Sequence, residues 1–180
     1  MKNIILAAGL GISLIGCASS PIADAMSSAK TNVSSFDGSK EISTRPMYAF
    51  ATSGFHASPI FLGAMWTDKL PDKVSLNTEI QGKYTNIDNL YLNIDGDVKK
   101  YQEIQSSMEF GASNFQTYAQ RSSIKRFVVP VSDIERIKIA KSVKVKVTTP
   151  SSYFEGVIVA DGKLSPAAKS LINVIDGIEK

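Results

Sequence analysis

Histidine and cysteine are nearly missing from this 180-residue chain, which carries one of each, His56 and Cys17. A lone cysteine closes no intrachain disulfide and forms neither a CxxC redox pair nor a thiolate zinc set. A lone histidine removes the usual imidazole zinc sets and leaves nucleophile-and-base catalysis one candidate base. His56 has Ser53 and Ser58 nearby, but closeness along a strand is not triad geometry, and no G-x-S-x-G elbow occurs. We read it as a packing or surface residue. Tryptophan also occurs once, as Trp66 behind the apolar "PIFLGAM", where an aromatic side chain belongs to the core more often than to a ligand cleft. Charge of one sign is lacking too: 20 basic against 17 acidic residues give +3, a balance that implies no partner by itself. The apolar run Ile4–Ile15, broken only by Ser13 among polar residues, falls short of the roughly twenty residues a membrane-spanning helix needs.

That short run carries the most specific signal in the chain. Lys2 precedes it, small residues surround its end, and Leu14-Ile15-Gly16-Cys17 closes it. A positive flank, an apolar middle and a small-residue cleavage site make a secretory signal peptide over residues 1–16. The four closing residues resemble the lipobox of bacterial lipoprotein precursors. The resemblance covers only the first twenty or so residues; Ile15 is less usual there than Ala or Ser. It implies that Cys17 is joined to diacylglycerol, cut free of the leader and acylated on its amino group. Ala18 in place of aspartate implies transport to the outer membrane, at its periplasmic face. Each buried methylene contributes about 0.8 kcal/mol, so several acyl chains make release slow.

The stretch to residue 46 is rich in Ser and Ala without sustained apolar periodicity, and predicts a flexible tether over residues 17–46. Asn32-Val33-Ser34 matches a glycosylation sequon, which belongs to a eukaryotic route and conflicts with the lipobox. From Met47 the pattern changes to a single β-rich globular domain, residues 47–180. In "KVSLNTEI" Val74, Leu76 and Ile80 share one face, and in "NLYLNIDGDVKKY" Leu90, Leu92 and Ile94 do so ahead of an Asp95-Gly96 hairpin turn. "SIKRFVVPV" reads as a strand ending near Pro130, and Val143, Val145 and Val147 alternate with Lys144 and Lys146. The apolar end of "YFEGVIVADG" predicts burial on both sides. Ser132 and Glu135 have capping-box spacing for a short helix near 132–140. Ser165 as N-cap, Pro166 at the first helical position and the Ala168, Leu171, Ile175 and Ile178 stripe predict a C-terminal helix near 165–178. Short turns between strands favour antiparallel pairing. The expected fold is α+β and mainly antiparallel β, as a sandwich-like or twisted sheet with a helix covering one face.

No catalytic residue, metal site or cofactor is marked. Asn93, Asp95, Gly96 and Asp97 offer oxygen ligands, but an EF-hand loop is longer and closes on a glutamate; turn geometry explains these residues. The uneven feature is basic. Between Arg121 and Lys146 eight basic side chains face two acidic ones, Asp133 and Glu135. Arg136, Lys138, Lys141, Lys144 and Lys146 form a candidate contact for an anionic surface, either phospholipid or lipopolysaccharide phosphate. The competing explanation is a solvated face guarding a sheet edge. Nucleic acid suits the charge, but the implied compartment argues against it. The favoured reading is a lipid-anchored, non-enzymatic binding or assembly module of the cell envelope, with an envelope protein or anionic lipid as partner. The alternatives are a periplasmic hydrolase with a carboxylate site, or a binder of small apolar ligands.

Overall fold

The computed structural model describes residues 25–54, 57–104, 109–113 and 120–179. Cys17, the whole of residues 1–16 and His56 lie outside them. The chain forms β1 (Lys30–Val33), β2 (Lys40–Ser43), β3 (Met47–Phe50), β4 (Ala57–Thr67), β5 (Lys73–Gln81), β6 (Asn89–Ile94), β7 (Asp97–Glu103), β8 (Glu109–Ser113) and β9 (Gln120–Pro130). A helix α1 (Val131–Ile139), strands β10 (Ser142–Thr149), β11 (Ser152–Ala160) and β12 (Lys163–Leu164), and a helix α2 (Pro166–Ile178) complete it.

Eight strands, in the order β3-β4-β5-β9-β7-β6-β10-β11, pair antiparallel and return to β3. The expected mainly antiparallel sheet with two helices is present, and the sandwich-like arrangement is corrected to a closed barrel. Alternating apolar residues serve either architecture equally, whereas closure depends on pairing between strands far apart in sequence. The ladders are uneven. β5 and β9 pair from Lys73↔Pro130 to Gln81↔Ser122. By contrast, among the described residues β3 meets β11 only at Phe50↔Val157, and β7 meets β9 at Gln102↔Val128 and Glu103↔Phe127 before β8 continues along that edge from Glu109↔Ile124 to Ser113↔Gln120.

The inward face follows the alternation. Val74, Leu76 and Ile80, then Leu90, Leu92 and Ile94, and Val143, Val145 and Val147 are all buried. Cross-strand partners share a face, so Ile60, Leu62, Ala64 and Trp66, which oppose β5, also point inward. Trp66 is a core residue whose indole N–H donates to the Pro71 carbonyl at 3.0 Å. Ile158 and Val159 are buried in succession because a bulge opposite Val143–Lys144 leaves Ile158 as an extra residue. At the Asp95-Gly96 turn φ is 50° and 96°, the positive pair of a tight hairpin connection.

The tether expectation is corrected from Lys30 onward. β1 pairs β2, β2 pairs the C-terminal part of β4, and Ile42 is fully buried against Trp66. β2 and β3 lie along the same edge of β4, and the chain crosses between them at Thr44–Pro46. Gly63 faces that crossing: a Cβ there would sit 2.8 Å from the Pro46 nitrogen and 2.9 Å from the Thr44 carbonyl oxygen.

The helices fill the remaining core. Ser165 caps α2 as expected, its Oγ accepting from the Ala168 N–H at 3.2 Å, with Pro166 at the start. Ala168, Leu171, Val174 and Ile175 join the same core cluster as the wall residues. The Ser170 hydroxyl donates to the Arg45 carbonyl at 2.8 Å, fixing α2 to the β2–β3 crossing. α1 differs from expectation at its start. Pro130 occupies the N-cap position, no side chain caps the helix, and the Val131 N–H donates to the Asp72 carbonyl at 3.0 Å. Ser132 therefore lies inside the first turn, and the Ser132–Glu135 capping box is not formed. Ile134 and Ile137 point into the core, so α1 closes one end of the barrel.

Candidate functional site

Since Val143, Val145 and Val147 point inward, Lys144 and Lys146 point out, and register carries that outward face across four strands. One row reads Lys100–Tyr91–Lys146–Glu155, and the next reads Val98–Asn93–Lys144–Val157. Neighbouring strands lie about 4.8 Å apart, which sets the Lys100 and Lys146 positions roughly 10 Å apart; Lys144 and Lys146 are about 7 Å apart along β10. A depression of about 630 Å³ opens on this face, lined by Thr52, Tyr91, Asn93, Val98, Lys144 and Lys146 among others. The Lys146 ammonium stands 4.1 Å from the Tyr153 ring centroid and 4.0 Å from a Glu155 carboxylate oxygen. A cation over an aromatic face is attracted by the ring quadrupole, which fixes the otherwise floppy lysine over Tyr153. Lys144 is exposed and makes no ion pair among the described residues. The face therefore offers three lysines, two tyrosines, an amide and an exposed valine against a single carboxylate. This composition suits an anion with apolar parts.

The other three residues of the expected basic contact lie elsewhere. Arg136 Nη1 meets Asp97 Oδ2 at 2.8 Å and Asp133 Oδ1 at 3.5 Å, and Asp97 raises its pKa further. Lys138 Nζ meets Asp176 Oδ1 at 2.8 Å and Glu179 Oε2 at 3.7 Å; the Asp176 contact raises its pKa and links α1 to α2. Lys141 follows α1, where its backbone N–H donates to Asp95. Arg136 and Lys138 thus brace the helices. Lys100 and Tyr91 were not marked in the sequence, because only strand pairing brings them beside Lys146.

Two further polar groups are internal. Asp133, 3 % exposed, accepts from Lys99 Nζ at 2.6 Å and from the Tyr101 hydroxyl at 3.1 Å. Burial first, then the Asp133 charge, raise the Tyr101 pKa well above the ordinary phenol range, so the hydroxyl stays protonated as a donor. This cluster ties α1 to β7. Lys125 lies opposite inward-facing Thr78, contacts the Glu103 carboxylate and donates to the Ile87 carbonyl at 2.8 Å. The Thr78 hydroxyl is buried without a hydrogen-bond partner among the described residues.

Among the described residues, no group of three or more His, Cys, Asp or Glu side chains is placed to hold a metal ion. The Asp95 carboxylate accepts the Ser142 and Lys141 N–H groups, and the Asn93 side-chain oxygen accepts the Gly96 N–H at 2.8 Å, so turn closure occupies these oxygens. No described helix is long and apolar enough to cross a membrane. No family model, curated protein or solved structure matches the chain.

Proposed function

We propose that this chain is a lipid-anchored lipoprotein of the bacterial cell envelope, held at the periplasmic face of the outer membrane through Cys17. Its barrel acts as a non-enzymatic binding module that meets anionic envelope surfaces with the Lys100–Lys144–Lys146 face. The observation that carries the anchor is the apolar run ending on Leu14-Ile15-Gly16-Cys17. Support for the binding face comes from its charge. Lys100 of β7 and Lys144 and Lys146 of β10 face outward with Glu155 as the acidic residue of their rows, while Arg136 and Lys138 are neutralised at the helices. Each cation near an anionic membrane contributes about 1 kcal/mol, and the attraction decays within a Debye length.

Radiolabelled palmitate tests the anchor: it enters the parent chain and not Cys17→Ser, which leaves the membrane fraction. Label in both chains, or in neither, overturns that half. The face is tested by joint Lys144→Glu and Lys146→Glu substitution, read as sedimentation with anionic vesicles. Binding at low salt falls at least tenfold while the unfolding midpoint holds; equal binding by both proteins removes the face from the account.

A further inference from the structure

Of the large apolar side chains that the fold leaves exposed, the two most exposed, Phe36 and Ile139, lie at one end of the barrel together with Val33 and Leu70, while Tyr84 and Tyr153 lie at the other. Phe36 is 99 % exposed in the β1–β2 turn, Leu70 is 54 % exposed in the β4–β5 turn, and Ile139 is 86 % exposed at the close of α1. Contacts place these three connections side by side. Lys69 pairs with Asp37, and the Lys40 N–H donates to Asp68 at 2.9 Å, which joins the first two turns. The start of α1 is held to Asp72 of the second turn, and the residues after Ile139 donate to Asp95 of the β6–β7 turn. Val33, 60 % exposed, stands next to the Phe36 turn. Charge at the first two turns is even, with Lys40, Lys69 and Lys73 beside Asp37, Asp68 and Asp72. What distinguishes this end is projecting apolar surface, for which water is a poor solvent.

We infer that this end is the membrane foot of the protein: Phe36, Leu70 and Ile139 enter the acyl boundary of the lipid surface and set the barrel upright on it. The inference rests on the proposed lipid anchor. Ala25 lines one depression with Lys30 and Ser43, beside the start of β1. β1 runs from there toward the foot over about 13 Å, and the eight steps from Cys17 to Ala25 span up to about 28 Å when extended. The anchor therefore reaches the same lipid surface as the foot. Lys144 lies within two rungs of the Asp95–Gly96 turn, close enough to the embedded end to meet headgroup phosphates.

The test uses the full lipidated chain in vesicles carrying a nitroxide-labelled lipid. Cys17 is the only native cysteine, so with its sulfur joined to diacylglycerol an introduced thiol takes a fluorophore alone. The label is placed by Phe36→Cys, Leu70→Cys or Ile139→Cys, and by Tyr84→Cys at the other end of the barrel, away from the Lys146–Tyr153 face. Membrane-embedded sites lie within about 10 Å of the acyl boundary, so the first three are quenched severalfold more than the fourth. Equal quenching at both ends, or stronger quenching at Tyr84, overturns the inference. So does shielding of the first three labels that depends on protein concentration without lipid, the mark of a second copy docking there. Mass measurement of Cys17 separates the two readings. If no acyl chain is found, the anchor fails, while quenching on added vesicles still decides the foot.

Discussion

Removing the Asp133 carboxylate should loosen the end of the barrel that α1 closes. In Asp133→Ala the hydroxyl of Tyr101, a residue 5 % exposed, loses its acceptor, and Lys99 and Arg136 each lose a buried anion. A hydrogen bond to a charged group contributes about 1.5–3 kcal/mol, and an orphaned buried hydroxyl costs about 1–3 kcal/mol. Lys99 is 41 % exposed and Arg136 38 %, so solvent screens their share, which we take at no more than about 1 kcal/mol. The expected loss is about 2–4 kcal/mol. In urea that lowers the midpoint by about 1–2 M at an ordinary slope, and on heating it lowers Tm by roughly 5–15 °C. Asp133→Asn keeps an acceptor for Tyr101 and should lose less. In a double-mutant cycle, Tyr101→Phe should cost little in the Asp133→Ala background, giving about 1 kcal/mol of coupling. A midpoint for Asp133→Ala that matches the parent would refute the view that this carboxylate pins α1 to β7.

Tyr101 also makes stability depend on alkaline pH. Its pKa is raised in the folded chain, so the contribution is complete below the unfolded phenol value near 10 and falls above it, by up to about 1.4 kcal/mol per pH unit; Tyr101→Phe should flatten that fall in urea titrations between pH 9 and 11. Thr78→Val removes a buried hydroxyl without a partner and keeps the branched shape, so it should raise stability by about 1 kcal/mol; a lowered midpoint would show that the hydroxyl has a partner in solution. Gly63→Ala drives a Cβ against the Thr44–Pro46 backbone and should cost about 1–3 kcal/mol by chemical denaturation, whereas an unchanged midpoint would mean that the β2–β3 crossing gives way freely.

Local pattern made several elements legible. The alternation around Val74–Ile80, Leu90–Ile94 and Val143–Val147, the Asp95-Gly96 turn and the Ser165-Pro166 helix start depend on contacts within a few residues, and all appear as expected. What escaped depends on distant partners. Ile42 sits in a polar stretch and is drawn into the core by Trp66, so β2 carries no periodic signal of its own. Ser132 and Glu135 have the right spacing, but Asp72 satisfies the first helical N–H from outside and the helix begins a residue early. The basic run was visible, yet its division was not: Asp97 and Asp176 neutralise Arg136 and Lys138 from other elements, while β6 and β7 add Tyr91 and Lys100. Ring closure itself leaves no local trace.

The uneven ladders have a mechanical consequence. Among the described residues a single rung joins β3 to β11, whereas β7 and then β8 line the facing edge of β9 with two rungs and five, so the thin seam of the cylinder is the one between β3 and β11. Thermal breathing should therefore part the wall there before it frays the longer ladders, admitting deuterium first at amides near Phe50 and Val157. Because α2 packs on β3, β4 and β11, it spans the weaker seam like a buckle, and slackening that helix would let the cylinder gape on that side.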